Sequence, residues 1–347
     1  MQMGHILMRK KTMPDVSLLI PTYNNAQTVE STLISCLNQT YDSIEVVVYD
    51  EASKDGTRDI VGRVAAKDDR VRFLWSDVNT GAVRAWSRLL HEAEGRYSSL
   101  VFSDDLLMPD FTSTLIRSLE EDDKRLVSGC SAFCETTPSV MNSVDPLEAQ
   151  PDRRRVYPFD SIDLSGPAYA LGILLGLFPV TPTCSLFRTA PARNIIETCI
   201  QFPNPFGFDF ERRAYGNDLA LISELGLYSS SVFQHGVPLV VLRDSPNSLT
   251  VNALKSHRHD FWLQYTWAAY AVWNRCSGVD PAMSRLKRIV KDRVHLTDTM
   301  ASLFVRRMPH YFNPLRILRA LLFMMTMDKR VRHSVTPNDL VRYIQNL

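Results

Sequence analysis

Ser99-Leu100-Val101-Phe102-Ser103-Asp104-Asp105-Leu106-Leu107-Met108-Pro109-Asp110 is a short apolar run that ends abruptly in two adjacent carboxylates. A run of this length, bounded by turn residues, has the pattern of a buried strand, and the acidic pair would then stand where the strand leaves its sheet. Two neighbouring negative charges repel, and the repulsion needs an offset. A hard divalent cation is the natural one, since Mg²⁺ is usually held by one or two carboxylates together with phosphate oxygens. Taken alone, a solvated acidic turn explains the pair equally well. The surrounding sequence has to decide.

Working outward, residues 16–122 alternate between short β-branched runs and helical patterns. Val16–Ile20 predicts a first strand, broken by Pro21-Thr22-Tyr23-Asn24-Asn25. Thr28–Leu37 carries Val29, Leu33, Ile34 and Leu37 at helical spacing. Glu45–Tyr49 predicts a second strand, Asp50–Gly56 a loop and Thr57–Ala66 a helix. Val71–Trp75 predicts a third strand and Ala82–Ala93 a helix that stops near Gly95. Leu100–Phe102 predicts a fourth strand and Phe111–Glu121 a further helix. This alternation predicts an α/β fold, a mostly parallel sheet flanked by helices. Ligands of such sheets sit beyond the carboxyl ends of the strands, at a topological switch point. The first strand leads into Pro21-Thr22-Tyr23-Asn24, the second into Asp50-Glu51 and the fourth into Asp104-Asp105. Three polar clusters should therefore converge on one edge.

The pattern downstream is less regular. Residues 123–165, with Pro138, Pro146, Pro151 and the basic run Arg153-Arg154-Arg155, read as a long loop, either a flap over a substrate or a surface insertion. Thr183–Phe187, Ser229–Phe233 and Val237–Leu242 predict strands, and Asp218–Leu225 a helix. From Ala253 onward the pattern is helical, and Trp262, Trp267, Tyr270 and Trp273 form an aromatic stripe that reads as core.

At 347 residues and 45% hydrophobic, the chain can bury one large core or two. Its net charge of +1 hides an asymmetry, because residues 281–347 hold 13 Lys/Arg against 4 Asp/Glu. Such a region meets an anionic surface or simply presents solvated basic helix faces. The six cysteines are scattered, none in a CxxC pair, which argues against zinc and fits free thiols in a reducing compartment. Met1–Met13 has no signal-peptide h-region, and no apolar run approaches the roughly 20 residues of a membrane span. The expectation is a cytoplasmic protein.

The order of the blocks resembles the catalytic core of family 2 glycosyltransferases with the GT-A fold. Val16-Ser17-Leu18-Leu19-Ile20-Pro21-Thr22-Tyr23-Asn24 is similar to that family's first strand and loop. Leu37-Asn38-Gln39-Thr40-Tyr41 with Asp50-Glu51-Ala52-Ser53-Lys54-Asp55-Gly56-Thr57 is similar to its second signature. Asn79-Thr80-Gly81, Ala93-Glu94-Gly95-Arg96-Tyr97 and Ser103-Asp104-Asp105 follow in the family's order. A weaker likeness runs through Ser185-Leu186-Phe187-Arg188, Gly216-Asn217-Asp218-Leu219 and Pro238–Ser248.

The resemblance implies a GT-A catalytic domain over 14–252, with a nucleotide-sugar half at 14–122, an acceptor half at 123–252 and a helical region at 253–347. It implies an inverting, metal-dependent transfer from a UDP-, GDP- or dTDP-sugar to a saccharide or lipid-linked acceptor, of the bacterial polysaccharide or O-antigen type. Asp50, Pro21, Thr22 and Tyr23 would line the nucleoside pocket, joined by Asn79 and Gly81. Asp104 would face the ribose, and Asp105 would ligate Mg²⁺ or Mn²⁺. Asp218 would be the base, kept ionised by a helix N-terminus; the alternative for it is an N-cap. Arg243 would contact phosphate or form a structural ion pair. The chain departs from the family pattern at Glu51, Ala52, Phe102 and Asn217, where Asp, Gly, Asp and an acidic residue are common.

Two other classes stay in view. A nucleotidylyltransferase would carry a Gly-rich, Arg-containing loop after the first strand, and Pro21–Gln27 has neither residue. A non-catalytic sugar-binding or assembly protein would not need Asp104, Asp105 and Asp218 together. A dehydrogenase is excluded by the missing GxGxxG. Nucleic acid is not an expected partner. The basic-flanked apolar run within 306–332 suits a peripheral membrane contact or packing as core.

Overall fold

Val16, Leu18 and Ile20 bury their side chains on one face of the first strand, and Leu19 buries its own on the other. Val46 and Val48 against Val47 repeat the division on the second strand. A strand buried on both faces must lie inside a sheet covered by helices on both sides, and the computed structural model has that arrangement. It describes residues 13–135, 154–157, 159–175, 177–200 and 215–243, together with Gln264, Tyr265, Ala268, Ala269 and Val272.

The strands are β1 (Val16–Thr22), β2 (Ile44–Glu51), β3 (Val71–Ser76), β4 (Tyr97–Leu100), β5 (Leu106–Leu107), β6 (Val127–Glu135), β7 (Arg154–Val156), β8 (Ile162–Ser165), β9 (Ser185–Arg188) and β10 (Ser231–Arg243). The helices are α1 (Val29–Leu37), α2 (Thr57–Ala65), α3 (Ala82–Glu92), α4 (Phe111–Glu120), α5 (Gly166–Leu175), α6 (Thr189–Ile200) and α7 (Asn217–Leu227). The sheet runs β3-β2-β1-β4-β9-β6-β10-β5, with β7 beside β6 and β8 beside β10. β3, β2, β1 and β4 pair in parallel, as do β6 and β10, while β9 and β5 run against their neighbours. Six strands therefore share one direction, which makes this a mostly parallel α/β sheet. One core packs α1, α2 and α4 on one face, and the other packs α3, α5, α6 and α7 on the opposite face.

Several expectations need correction. β1 does not break at Pro21 but continues to Thr22. Its pairing with β4 ends at Leu19, so a proline beyond that point interrupts nothing on that side. The fourth strand is Tyr97–Leu100, earlier than Leu100–Phe102. Ser98 and Ser99 are fully buried there, with the Ser98 hydroxyl 2.7 Å from that of Thr189, so the strand does not read as an apolar run. The supposed loop at 123–165 contains β6, β7 and β8. The two strands expected at 229–242 are one, β10, with register shifts on either side of Pro238 that leave Gly236, Val237 and Leu239 without a partner on β6. α6 was not expected. The region from 253 onward, including most of the tryptophan stripe and the basic 306–332 run, lies outside the described residues apart from five helical positions.

Candidate active site

The parallel strands deliver their polar ends to one edge. β1 ends at Thr22 and β2 at Asp50 and Glu51, and Thr22 is the register partner of Asp50. The loop after β1 is stitched to the loop after β2. The Asn24 N–H donates to Ser53 Oγ at 2.8 Å, Asn25 N–H to Thr57 Oγ1 at 2.9 Å and Ala26 N–H to Asp55 Oδ2 at 3.0 Å. Asn25 also donates through Nδ2 to Ser103 Oγ at 2.6 Å, which ties both loops to the acidic turn. The three expected clusters therefore meet. They do so where the strand order turns back between β1 and β4, the switch point at which α/β sheets bind ligands.

Asp50 and Glu51 point to opposite faces of β2, as neighbours on a strand must. Asp50 is fully buried, and its Oδ2 accepts from Arg58 Nε at 2.7 Å and Ser53 N–H at 3.1 Å. Arg58 reaches on to Asp77 at 3.1 Å and to the Ser76 carbonyl. Glu51 turns inward, where its Oε1 accepts from Thr80 N–H at 3.1 Å, Thr80 Oγ1 at 3.0 Å and Gly81 N–H at 3.1 Å. Burial pushes the Glu51 carboxyl above its ordinary range, and those donors oppose the shift. The Gly81 N–H also donates to Asn79 Oδ1 at 3.0 Å. Gly81 stands at φ 102°, a left-handed conformation that only glycine adopts cheaply. Glu51 is thus the residue that shapes the Asn79-Thr80-Gly81 loop. The one available signal was its position beside Asp50, one residue out of phase. Pro21 is half-buried at the end of β1, and Tyr23 is exposed beside it.

The acidic pair splits in the same way. Asp105 is buried, its Oδ2 accepting from Thr183 Oγ1 at 2.9 Å and its Oδ1 from the Arg243 N–H at 3.3 Å. Burial first, and then the neighbouring Asp104 carboxylate, push Asp105 well above the usual carboxylate range. Asp104 is the more exposed of the two. Arg243, at the end of β10, does not present its guanidinium to the surface. It is buried and donates to the Asp104 carbonyl and, at 3.0 Å, to Ser31 Oγ. These two bonds brace the turn from behind, and Arg243 Nη1 has no partner among the described residues.

Asp218 lies in the first turn of α7, whose N-cap is Gly216 at φ 85°. A Cβ on Gly216 would stand 2.8 Å from the Ala268 Cβ, so glycine is required there on two counts. Asp218 is therefore not the N-cap. Its Oδ1 accepts from the Leu219 N–H at 2.8 Å, and its Oδ2 from the Tyr265 hydroxyl. Burial outweighs these donors and raises its pKa to about 6. Among the described residues its hydrogen bonds run to the start of α7 and to Tyr265.

The model of the family described as Glycosyl transferase family 2 matches residues 17–195, about half the chain. The chain belongs to that family. It is similar to the UDP-Glc:alpha-D-GlcNAc-diphosphoundecaprenol beta-1,3-glucosyltransferase WfaP of Escherichia coli, 35% identical over 107 residues, which are 31% of this chain and 42% of that one. It is also similar to the GalNAc(5)-diNAcBac-PP-undecaprenol beta-1,3-glucosyltransferase of Campylobacter jejuni, 29% identical over 119 residues, 34% of this chain and 38% of the other. The chain spans less than half the length of these curated relatives. Among solved structures, S. aureus TarS 1–349 in complex with UDP-GlcNAc superposes with a TM-score of 0.53 at 17% identity, covering 76% of this chain and 65% of that one. That likeness bears on the fold, a GT-A-like α/β sheet.

Proposed function

We propose that this chain transfers a sugar, with inversion, from a nucleotide-sugar donor to a saccharide or lipid-linked saccharide acceptor in the synthesis of a bacterial surface polysaccharide. The observation that carries the reading is the convergence of Thr22, Asp50 and the Asp104–Asp105 turn on one sheet edge in a family 2 chain. The nucleoside lies against Thr22, Tyr23 and Asp50, with Asn79, Gly81 and Pro21 framing it.

A hard cation, Mg²⁺ or Mn²⁺, fits the acidic turn. The donor set is all carboxylate oxygen, and Asp105 is pushed toward neutrality by burial and by Asp104, a push that a cation would reverse. No group of three acidic, His or Cys side chains clusters there among the described residues, so donor phosphates and water would complete the shell. Asp105 is the anchored ligand candidate, with Asp104 beside it toward the donor. When bound, such a cation supplies Lewis-acid stabilisation of the negative charge on the departing diphosphate. Arg243 positions the turn through the Asp104 carbonyl.

Asp218 acts as the base. As the acceptor hydroxyl oxygen bonds to the anomeric carbon, its proton passes to a carboxylate oxygen of Asp218, and the anomeric carbon–oxygen bond to the diphosphate breaks. A pKa of about 6 suits this, because the group is ionised near neutral pH and still basic enough to take a proton. Tyr265 holds the carboxylate in place through its hydroxyl. The segment 306–332 is proposed to lie on anionic lipid beside a lipid-linked acceptor, making the protein peripheral on the cytoplasmic face of the membrane; no helix of the described residues is long and apolar enough to cross one. Release of nucleoside diphosphate from a panel of nucleotide sugars, with Mn²⁺ or with EDTA, tests the whole reading. Turnover that is absent for every donor, or unchanged in excess EDTA, would remove the enzyme or the metal respectively.

A further inference from the structure

The nucleoside end of the site contains two polar atoms that are buried and have no hydrogen-bond partner among the described residues: Asp50 Oδ1 and Thr22 Oγ1. Asp50 is fully buried and Thr22 is 3% exposed. They are register partners on neighbouring parallel strands, so their backbones lie about 4.8 Å apart and their side chains leave the same face. Buried polar atoms are rarely left unmatched, because each loses its water without a replacement. The pair thus presents one acceptor beside one hydroxyl. The second Asp50 oxygen is not available, since Arg58 Nε at 2.7 Å and the Ser53 N–H at 3.1 Å already occupy it. Arg58 is itself fixed from the far side by Asp77 and the Ser76 carbonyl.

We infer that Arg58, by occupying one oxygen of Asp50, limits the nucleoside pocket to a base with a single ring N–H flanked by carbonyls, so that the donor carries uracil or thymine and not guanine. This inference rests on the proposed nucleotide-sugar site and deepens it. The imide edge of uracil or thymine offers one N–H to Asp50 Oδ1, with a carbonyl alongside for the Thr22 hydroxyl. Guanine presents a ring N–H and an exocyclic NH₂ side by side, and these need two acceptors. Here the second acceptor is taken by a guanidinium, a donor that would face the NH₂. Neutral cytosine and adenine have no N–H on the corresponding ring nitrogen, so Asp50 Oδ1 would oppose a lone pair there. A pocket that leaves buried polar groups unpaired with the wrong ligand discriminates strongly.

Calorimetric titration of the full chain with UDP, dTDP, GDP, CDP and ADP, each with MnCl₂, tests this. UDP or dTDP should bind most tightly, and GDP at least tenfold more weakly than the better of the two. The ranking of UDP against dTDP separates the two sources of the same edge. Arg58→Met should bring GDP within about threefold of the better pyrimidine, chiefly by freeing Asp50 Oδ2. Asp77→Asn, at the exposed end of the clamp, should narrow the gap in the same direction by less, and it avoids the risk that Arg58→Met unsettles the loop. GDP binding as tightly as UDP and dTDP to the unaltered chain overturns the inference and leaves the transferase reading standing. An unchanged preference in both folded variants removes Arg58 from it. Failure of every nucleotide to bind removes the donor site itself, and this inference with it.

Discussion

The Asp50 end and the Asp218 end of the molecule use the same side chain in opposite electrostatic settings. Asp50 is fully buried against a guanidinium that is itself tied to a second carboxylate. Asp218 has no ion pair among the described residues; its donors are the Tyr265 hydroxyl and backbone N–H groups at the start of α7, all neutral, and burial outweighs them and lifts its pKa to about 6. A carboxylate locked to a cation is a fixed acceptor that recognises. A carboxylate left with neutral donors keeps enough proton affinity to react. On the proposed reading, the contrast separates recognition at the β1–β2 edge from proton transfer at the start of α7.

The sharpest break of this contrast is Asp218→Asn. It should lower transfer about 10²–10⁴-fold while leaving nucleotide-sugar affinity within about threefold, because only the acceptor step needs the proton acceptor. A near-normal kcat with the true acceptor would return the base assignment to another residue. Next in size is the acidic turn. Asp104→Ala should abolish Mn²⁺-dependent nucleotide binding with little change in melting temperature. Asp105→Ala should abolish it too and also destabilise the fold by about 1–3 kcal/mol, because Thr183 and the Arg243 N–H lose a buried acceptor. Equal melting temperatures for the two variants would contradict the anchored role of Asp105.

The pH dependence sharpens the comparison. A base must be deprotonated to work, so kcat should fall as pH drops through about 6. The stability effect has the reverse sense. The folded pKa of Asp218 is raised above its unfolded value, so the folded state binds the proton more tightly, and stability from this group is greatest in acid and is lost as pH rises through about 6. Asp218→Asn should therefore melt above the unaltered chain at pH 8, with the gap closing toward pH 4; a constant gap across that range would speak against the shift. The smallest effect belongs to Ala52, next to Glu51, which stands at φ 63°. Ala52→Gly should relieve left-handed strain and stabilise the fold by about 0.5–1 kcal/mol, measurable by urea denaturation.

The two halves of the chain also differ in how far they could be read. β1, β2 and β3 with α1 to α4 follow from β-branched runs and helical spacing, and their bounds moved by one or two residues. β6 escaped because a buried strand made of Ser128, Gly129, Cys130, Ser131 and Ala132 has no apolar run to notice. β4 slid for the same reason at Ser98 and Ser99. In the site, the acidic clusters were visible because each follows a strand. Their partners were not. Arg58 comes eight residues after Asp50, Thr183 contacts Asp105 across 78 positions, and Tyr265 contacts Asp218 across 47. Nothing local in a sequence records such pairings, and they decide whether a carboxylate recognises, anchors or reacts.

The anchoring of the acidic turn by β10 has a consequence for the order in which the molecule can be assembled. Arg243 donates to Ser31 across 212 positions, and its N–H reaches Asp105 across 138. During synthesis the N-terminal strands and helices emerge early and can pair locally, but the brace behind the turn comes off the chain long afterward. Contacts of such high sequence separation close slowly, because the loop entropy is lost before they repay it. The half-made protein therefore lacks the brace behind Asp104 and Asp105. The acidic turn cannot gain that brace until β10 has been made and has paired with β6 and β5.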